Sequence, residues 1–386
     1  MAATERGRPV TTSAAASKKN HSTGALLAAA LALPGILPAT ALAQMTPDPG
    51  LIELKYLDYR DWQPGADRIR VHTPSFFGRK PLSDSLQAEG SIVYDSISGA
   101  SPLFHNTLSG ASRLGVTDYR TAGDAKLTKY FDQFTVGVGA AVSSERDYLS
   151  RAFSLDVRVS SDDRNRTFAF GVGDASDRIN STNGVAEGKE RHTLDFLAGV
   201  TQALSPDAIV QSTLTYSPGH GYYSDPYKAI DVRPDHRQIL AWLTRYNQHL
   251  SWLDATVNLS YRYLHDSFGS SSHTAEFAWN QPLADGWSVV PNLRYYSQSA
   301  ADFYFDPPFP HGFVLGQPYS ADTRLSAFGA LTSGLTVAKR LPDGWSLDLK
   351  LDFYRQRSDW HFGGGGSPGL ETFSARWIQT GVSKTF

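Results

Sequence analysis

In Trp345–Phe353 every second residue is apolar: Trp345, Leu347, Leu349, Leu351 and Phe353 share one face, and Ser346, Asp348, Lys350 and Asp352 share the other. A strand sends successive side chains to opposite sides, whereas a helix would scatter both sets around its circumference. The pattern recurs at Leu253, Ala255, Val257, Leu259, Tyr261 and Tyr263 against Asp254, Thr256, Asn258, Ser260 and Arg262. It recurs again at Phe153, Leu155, Val157 and Val159 against Ser154, Asp156, Arg158 and Ser160, and at Phe134, Val136, Val138, Ala140 and Val142 against Thr135, Gly137 and Gly139. A chain built of such strands must cover an apolar face along nearly its whole length.

The connections say what covers it. Short turns at 162–165, 205–207, 284–286 and 342–344 alternate with long Gly-, Pro- and aromatic-rich stretches at 96–117, 177–188, 218–234, 303–320 and 361–369. That alternation gathers the long loops at one end, as in an up-and-down transmembrane barrel with short periplasmic turns and long external loops. The pattern predicts an all-β antiparallel barrel of about sixteen strands, beginning 51–60, 67–77, 84–95 and 118–131 and ending 321–341, 345–359 and 370–386. Fourteen is the nearest alternative, because the first three strands are the least regular. Trp287 and Trp345 directly follow Asp-Gly turns, which predicts an indole at the periplasmic interface. Phe386 ends the chain with Val382, Thr380 and Ile378 on its face, which reads as an assembly signal for the barrel-assembly machinery. Lys384 departs from that signal, since an apolar residue is usual there. The alternative for alternating strands is a secreted soluble β-rich binding protein, a sandwich or propeller, which buries its apolar faces inside and needs no such loop asymmetry.

Composition fits a barrel. Among 386 residues there is no Cys, which excludes disulfides, thiolate metal sites, a thiol nucleophile and a lipoprotein anchor. A net charge of −2 gives no reason to expect nucleic acid. One apolar run, Gly24–Pro38, follows Lys18 and Lys19 and precedes Ala41, Leu42 and Ala43. It reads as a secretory signal over 1–43, cut before Gln44, leaving one barrel over 44–386 in a Gram-negative cell envelope.

Three phrases, Tyr94–Pro102 (YDSISGASP), Ser143–Ser150 (SSERDYLS) and Arg294–Tyr304 (RYYSQSAADFY), resemble a large bacterial domain family of unknown function whose members look like outer-membrane barrels. The resemblance covers most of the chain after residue 43. It implies an outer-membrane lipid environment and neighbours such as a small envelope lipoprotein or a redox protein. No motif in the sequence calls for a cofactor.

If the barrel is wide enough for a lumen, the inward set Asp156, Arg158, Asp254, Arg262, Arg294, Asp348, Lys350 and Asp352 lines it. Mixed signs there either orient solutes across a pore or pair with one another on the wall. Asp95, Glu145 and Asp147 lie at two loop bases and form an oxygen-rich candidate metal site, although carboxylates at loop bases more often cap turns or meet Arg. Arg294–Tyr296 and Asp302–Tyr304 place aromatic rings in the external girdle, with Arg294 paired to a lumen acid. Among the His residues the closest groupings are His220 with Asp225 and His236 with Asp235, but no His-Glu-x-x-His and no Gly-x-Ser-x-Gly is present. The residues point to a non-enzymatic solute pore or a platform for an envelope partner. An outer-membrane hydrolase with a rim site is the alternative.

Overall fold

A computed structural model describes residues 46–99, 116–228, 230–306 and 309–386, and before them only 15–16 and 19–20. The export signal of 1–43 therefore falls outside the described residues, apart from those two dipeptides. Sixteen strands form one closed antiparallel barrel in chain order. They are β1 Leu51–Gln63, β2 Ala66–Ser83, β3 Leu86–Gly99, β4 Val116–Tyr130, β5 Phe134–Ser144, β6 Tyr148–Ser160, β7 Arg166–Ile179 and β8 Lys189–Ser205. The second half comprises β9 Ala208–Gly221, β10 His236–Leu250, β11 Ala255–Asp266, β12 Ser271–Pro282, β13 Trp287–Gln298, β14 Phe328–Arg340, β15 Trp345–Arg357 and β16 Phe373–Thr385. The last strand closes on the first, from Ser374↔Trp62 to Thr385↔Leu51.

Each expected strand has its counterpart, and the differences have physical causes. β2 runs on past Pro74 and Pro81, both of which a strand tolerates only where its ladder is interrupted. The pairing of β2 with β3 is interrupted between His72 and Ser75 without a change of register, and its register shifts between Pro81 and Ser83. β14 starts at Phe328 rather than at 321, because the Asp322 side chain accepts from the Arg324 backbone N–H and turns 323–325 into a short 3-10 helix. The loop asymmetry is real but incomplete. The connections at the turn end are 84–85, 131–133, 161–165, 206–207, 251–254, 283–286 and 341–344, while three at the loop end, 64–65, 145–147 and 267–270, are equally short.

Two of the turns are built alike. Asp285 and Asp343 both adopt φ 57°, and Gly286 and Gly344 φ 77°. Leu283 and Leu341 donate their N–H to the carbonyls of Trp287 and Trp345. The two indoles stand on the outward face beneath a lysine, Lys339 at 4.8 Å from the Trp287 ring and Lys384 at 5.2 Å from the Trp345 ring. Lys339 Nζ also donates to the Asp285 carbonyl at 2.5 Å, and Lys384 Nζ donates to that of Asp343. Lys384 is thus explained: it caps the neighbouring turn while its stem lies over an indole.

Candidate functional site

The alternation sorts every wall residue. Phe153, Ile92 and Val138 point outward and are 66%, 60% and 57% exposed, while Asp156, Asp195 and Asp352 point inward and are buried. Asp156, Arg158, Arg262, Arg294, Asp348, Lys350 and Asp352 all lie on the inward face. Asp254 does not. It falls in the turn 251–254 with φ 48° and a largely exposed side chain, because the apolar-polar rhythm of the sequence runs on into the turn.

Inward carboxylates share a device that only pairing register reveals. Asp156, Asp352 and Asp348 stand directly opposite Gly137, Gly334 and Gly381 on the next strand. A β-carbon at any of these glycines would collide with the facing carboxylate. The absent side chain lets the acid lie flat along the wall. There Asp156 meets Lys126 at 2.7 Å, and Asp352 meets Lys350 at 2.8 Å and accepts from Asn292 at 3.2 Å. On β3–β9, Arg120 pairs with Asp95 and Arg191 with Asp177, while Ser91 and Ser217 donate to Asp124 and Asp195. The wall β10–β13 carries Arg245, Arg262 and Arg294 around Glu276. Arg294 lies 3.2 Å from Glu276, a lumen acid.

The three carboxylates grouped as a metal site do not converge. Asp95 accepts from Thr73 at 2.5 Å and is held by Arg120, and Asp147 accepts from the Tyr227 hydroxyl. Glu145, in the connection 145–147, accompanies Asp147 without completing a site. Among the described residues no group of three or more His, Asp or Glu is arranged to hold a metal ion.

Loops fold over the loop end. Ser320 and Tyr319 pair with Asp231 and Val232. Arg233 donates to Asp231 at 2.7 Å and to Asp322 at 2.8 Å, and Arg324 grips Asp322 and reaches Asp225 at 2.8 Å. Burial by itself would push the Asp322 carboxyl up, but Arg324, with Lys228 and Arg233, holds it well below the usual carboxylate range. Beneath this network Phe268, Ala301, Phe303, Tyr304 and Leu325 form an apolar core, so Phe303 and Tyr304 belong to the cap and not to an external girdle. Gln298, on the inward face, donates to the carbonyls of Arg324 and Ser326 at 2.9 and 2.7 Å. Leu370, from the loop 358–372, packs with Phe328 against Tyr296 and Tyr354, so Tyr296 is a lumen residue rather than a girdle residue.

The histidines regroup as well. Asp225 serves the cap, whereas His220 lies beside His192, ring centroids 5.3 Å apart, and faces His236 across the ladder. His192 contacts Asp174 at 2.8 Å, and His236 meets Asp235 at 2.7 Å as its sequence neighbour suggests.

Fold and wall together define a closed sixteen-stranded antiparallel barrel with an apolar outward face, a polar, charged inward face and a cap of loops. The model of the family described as "Protein of unknown function (DUF3570)" matches residues 106–188 and 181–377, more than half the chain, and the chain belongs to that family. No curated protein matches. Solved structures similar to it include a bacterial polysaccharide outer membrane secretin, at 9% identity and TM-score 0.49, with 87% of this chain and 98% of that one covered. Pseudomonas aeruginosa OccK2 (OpdF) is similar at 10% identity and TM-score 0.43, covering 88% and 98%. A Pseudomonas aeruginosa FadL homologue is similar at 9% identity and TM-score 0.42, covering 88% and 91%. Likeness at this level says nothing about what each barrel handles.

Proposed function

We propose that this chain is a non-enzymatic outer-membrane barrel that admits small polar solutes to a charged lumen beneath a folded cap. The observation that carries the reading is the division of the wall: an outward belt of exposed Phe, Leu, Val and Ile against an inward lining of Asp, Lys, Arg, Ser and Thr. An apolar belt of that extent is unstable against water and stable against lipid. A lining rich in charge suits water and solutes. The even strand number puts β1 and β16 at the same end, so the turn end faces the periplasm and the cap faces outward. Phe386, whose ring packs on Gly50 and whose N–H donates to the Gly50 carbonyl, supports its reading as an assembly signal, with the barrel-assembly machinery as its reader.

The test is conductance. Purified full-length protein in a planar bilayer gives stepwise openings, and Asp348→Asn combined with Asp352→Asn shifts ion preference towards anions. Absence of steps in repeated insertions rejects the pore. A second reading, a platform for an envelope lipoprotein or redox partner, is favoured by Leu315 and Phe362, which are 77% and 67% exposed on the capping loops. It predicts a co-purifying envelope partner in place of conductance.

A further inference from the structure

We propose that the lumen face of β10–β13 is a binding site for a small oxyanion, the carboxylate or phosphate end of a solute, held by Arg245, Arg262 and Arg294. The proposal rests on reading the barrel as one that admits solutes, and it names the chemical class. Gln211, Arg245, Ser260, Glu276 and Arg294 are successive partners across β9 to β13, a single row on the inward face. Arg262 stands on the next row towards the loop end, opposite Thr274. The intervening Trp242, Leu259, Phe277 and Leu293 are exposed on the outward face, so the three arginines share the lumen with one another and not with lipid.

Arginines outnumber the acids in these two rows. Glu276 is the one carboxylate in the row, and it is already engaged by Arg294 at 3.2 Å and by the Ser260 hydroxyl at 3.2 Å. Arg262 makes no ion pair among the described residues. Its Nη2 reaches the neutral Thr274 hydroxyl at 3.3 Å, and its Nε is buried without an acceptor. The Nε of Arg294 likewise lacks an aligned acceptor, and the two guanidiniums repel each other. Arg245 reaches Gln211 at 3.5 Å. The contrast with the remaining wall is sharp, since Lys126, Arg191 and Lys350 each lie within 2.8 Å of a carboxylate.

A guanidinium offers five donors in a planar fork that matches the two oxygens of a carboxylate or the face of a phosphate. Two forks with open donors, set on neighbouring rows against a low-dielectric wall, repel each other until an anion lies between them. The three side chains are half-buried rather than sealed in the wall.

Isothermal titration of the refolded full chain in detergent micelles with inorganic phosphate, and separately with succinate, tests the site. Saturable one-to-one binding of either probe is expected, and whichever binds more tightly identifies the solute's anionic end. Arg262→Gln weakens it by about tenfold, the value of one charge-assisted hydrogen bond. Glu276→Gln removes the competing carboxylate and tightens it several-fold, a gain that a damaged barrel cannot produce. No binding of either probe, an unchanged affinity in Arg262→Gln, or a loss of affinity in Glu276→Gln overturns the proposal. Binding needs no conductance: a barrel that binds but does not conduct keeps this site and rejects the pore, and one that conducts without binding does the reverse.

Discussion

Glycine opposite aspartate is the residue-scale rule of this wall, and it makes a sharp prediction. Gly137→Val places branched carbons where the Lys126–Asp156 pair runs, with Lys126 Cε already 2.6 Å from the would-be β-carbon. Overpacking of this kind costs about 1–3 kcal/mol, and the urea midpoint of the folded barrel should fall accordingly. Adding Asp156→Ala should recover part of the loss, because the two changes share one space. Lys384→Leu tests a second residue-scale reading: it restores the more usual apolar residue yet removes a cation–π contact and a turn cap, so stability should drop by about 0.5–1 kcal/mol. Which face each residue occupies was legible in the sequence from β4 onward, since the alternation needs no knowledge of neighbours. The Gly–Asp pairing was not, because Gly334 and Asp352 meet only once register is known. Asp254 misled for a simpler reason: Asp tolerates positive φ, so a turn residue can keep a strand's rhythm.

At the scale of elements, the cap is where sequence reasoning stopped. Phe303, Tyr304 and Leu325 look like any aromatic loop residues until Asp322 and Asp231 bring their segments together. A run of rings can equally cover lipid or make a small core, and no local period separates the two. The cap's pH response follows from Asp322. Its carboxyl is depressed in the folded state, so its contribution is complete above the ordinary Asp value of about 4 and is lost only as pH falls through the lower folded value. Limited proteolysis of 309–327 should therefore be unchanged between about pH 5 and about pH 8 in the native protein. Asp322→Asn strips the shared partner from Arg233 and Arg324, and cleavage there should rise severalfold at about pH 7 while the barrel strands stay protected.

For the whole molecule, closure decides behaviour. Sixteen strands with no free edge resist SDS until heated, so the folded protein should migrate faster unboiled than boiled. The outward belt should hold it in membranes through a carbonate wash. A soluble periplasmic pool of folded protein would contradict the barrel's orientation towards lipid. Strand number, with fourteen as the alternative, followed from the alternation read together with the turn residues, whereas the concentration of arginine on the lumen face of β10–β13 appears only when those strands are set side by side in register.

The seam between β1 and β16 joins residues from opposite ends of the chain, Leu51 with Thr385 and Trp62 with Ser374. Every other neighbouring pair forms between segments that are adjacent in synthesis, so the rest of the wall can zip in order while this pair waits. Until it forms, the growing sheet exposes two long unpaired edges, each a template for another copy. Closing the seam is therefore the one pairing that removes both edges at once, and with them the template for another copy.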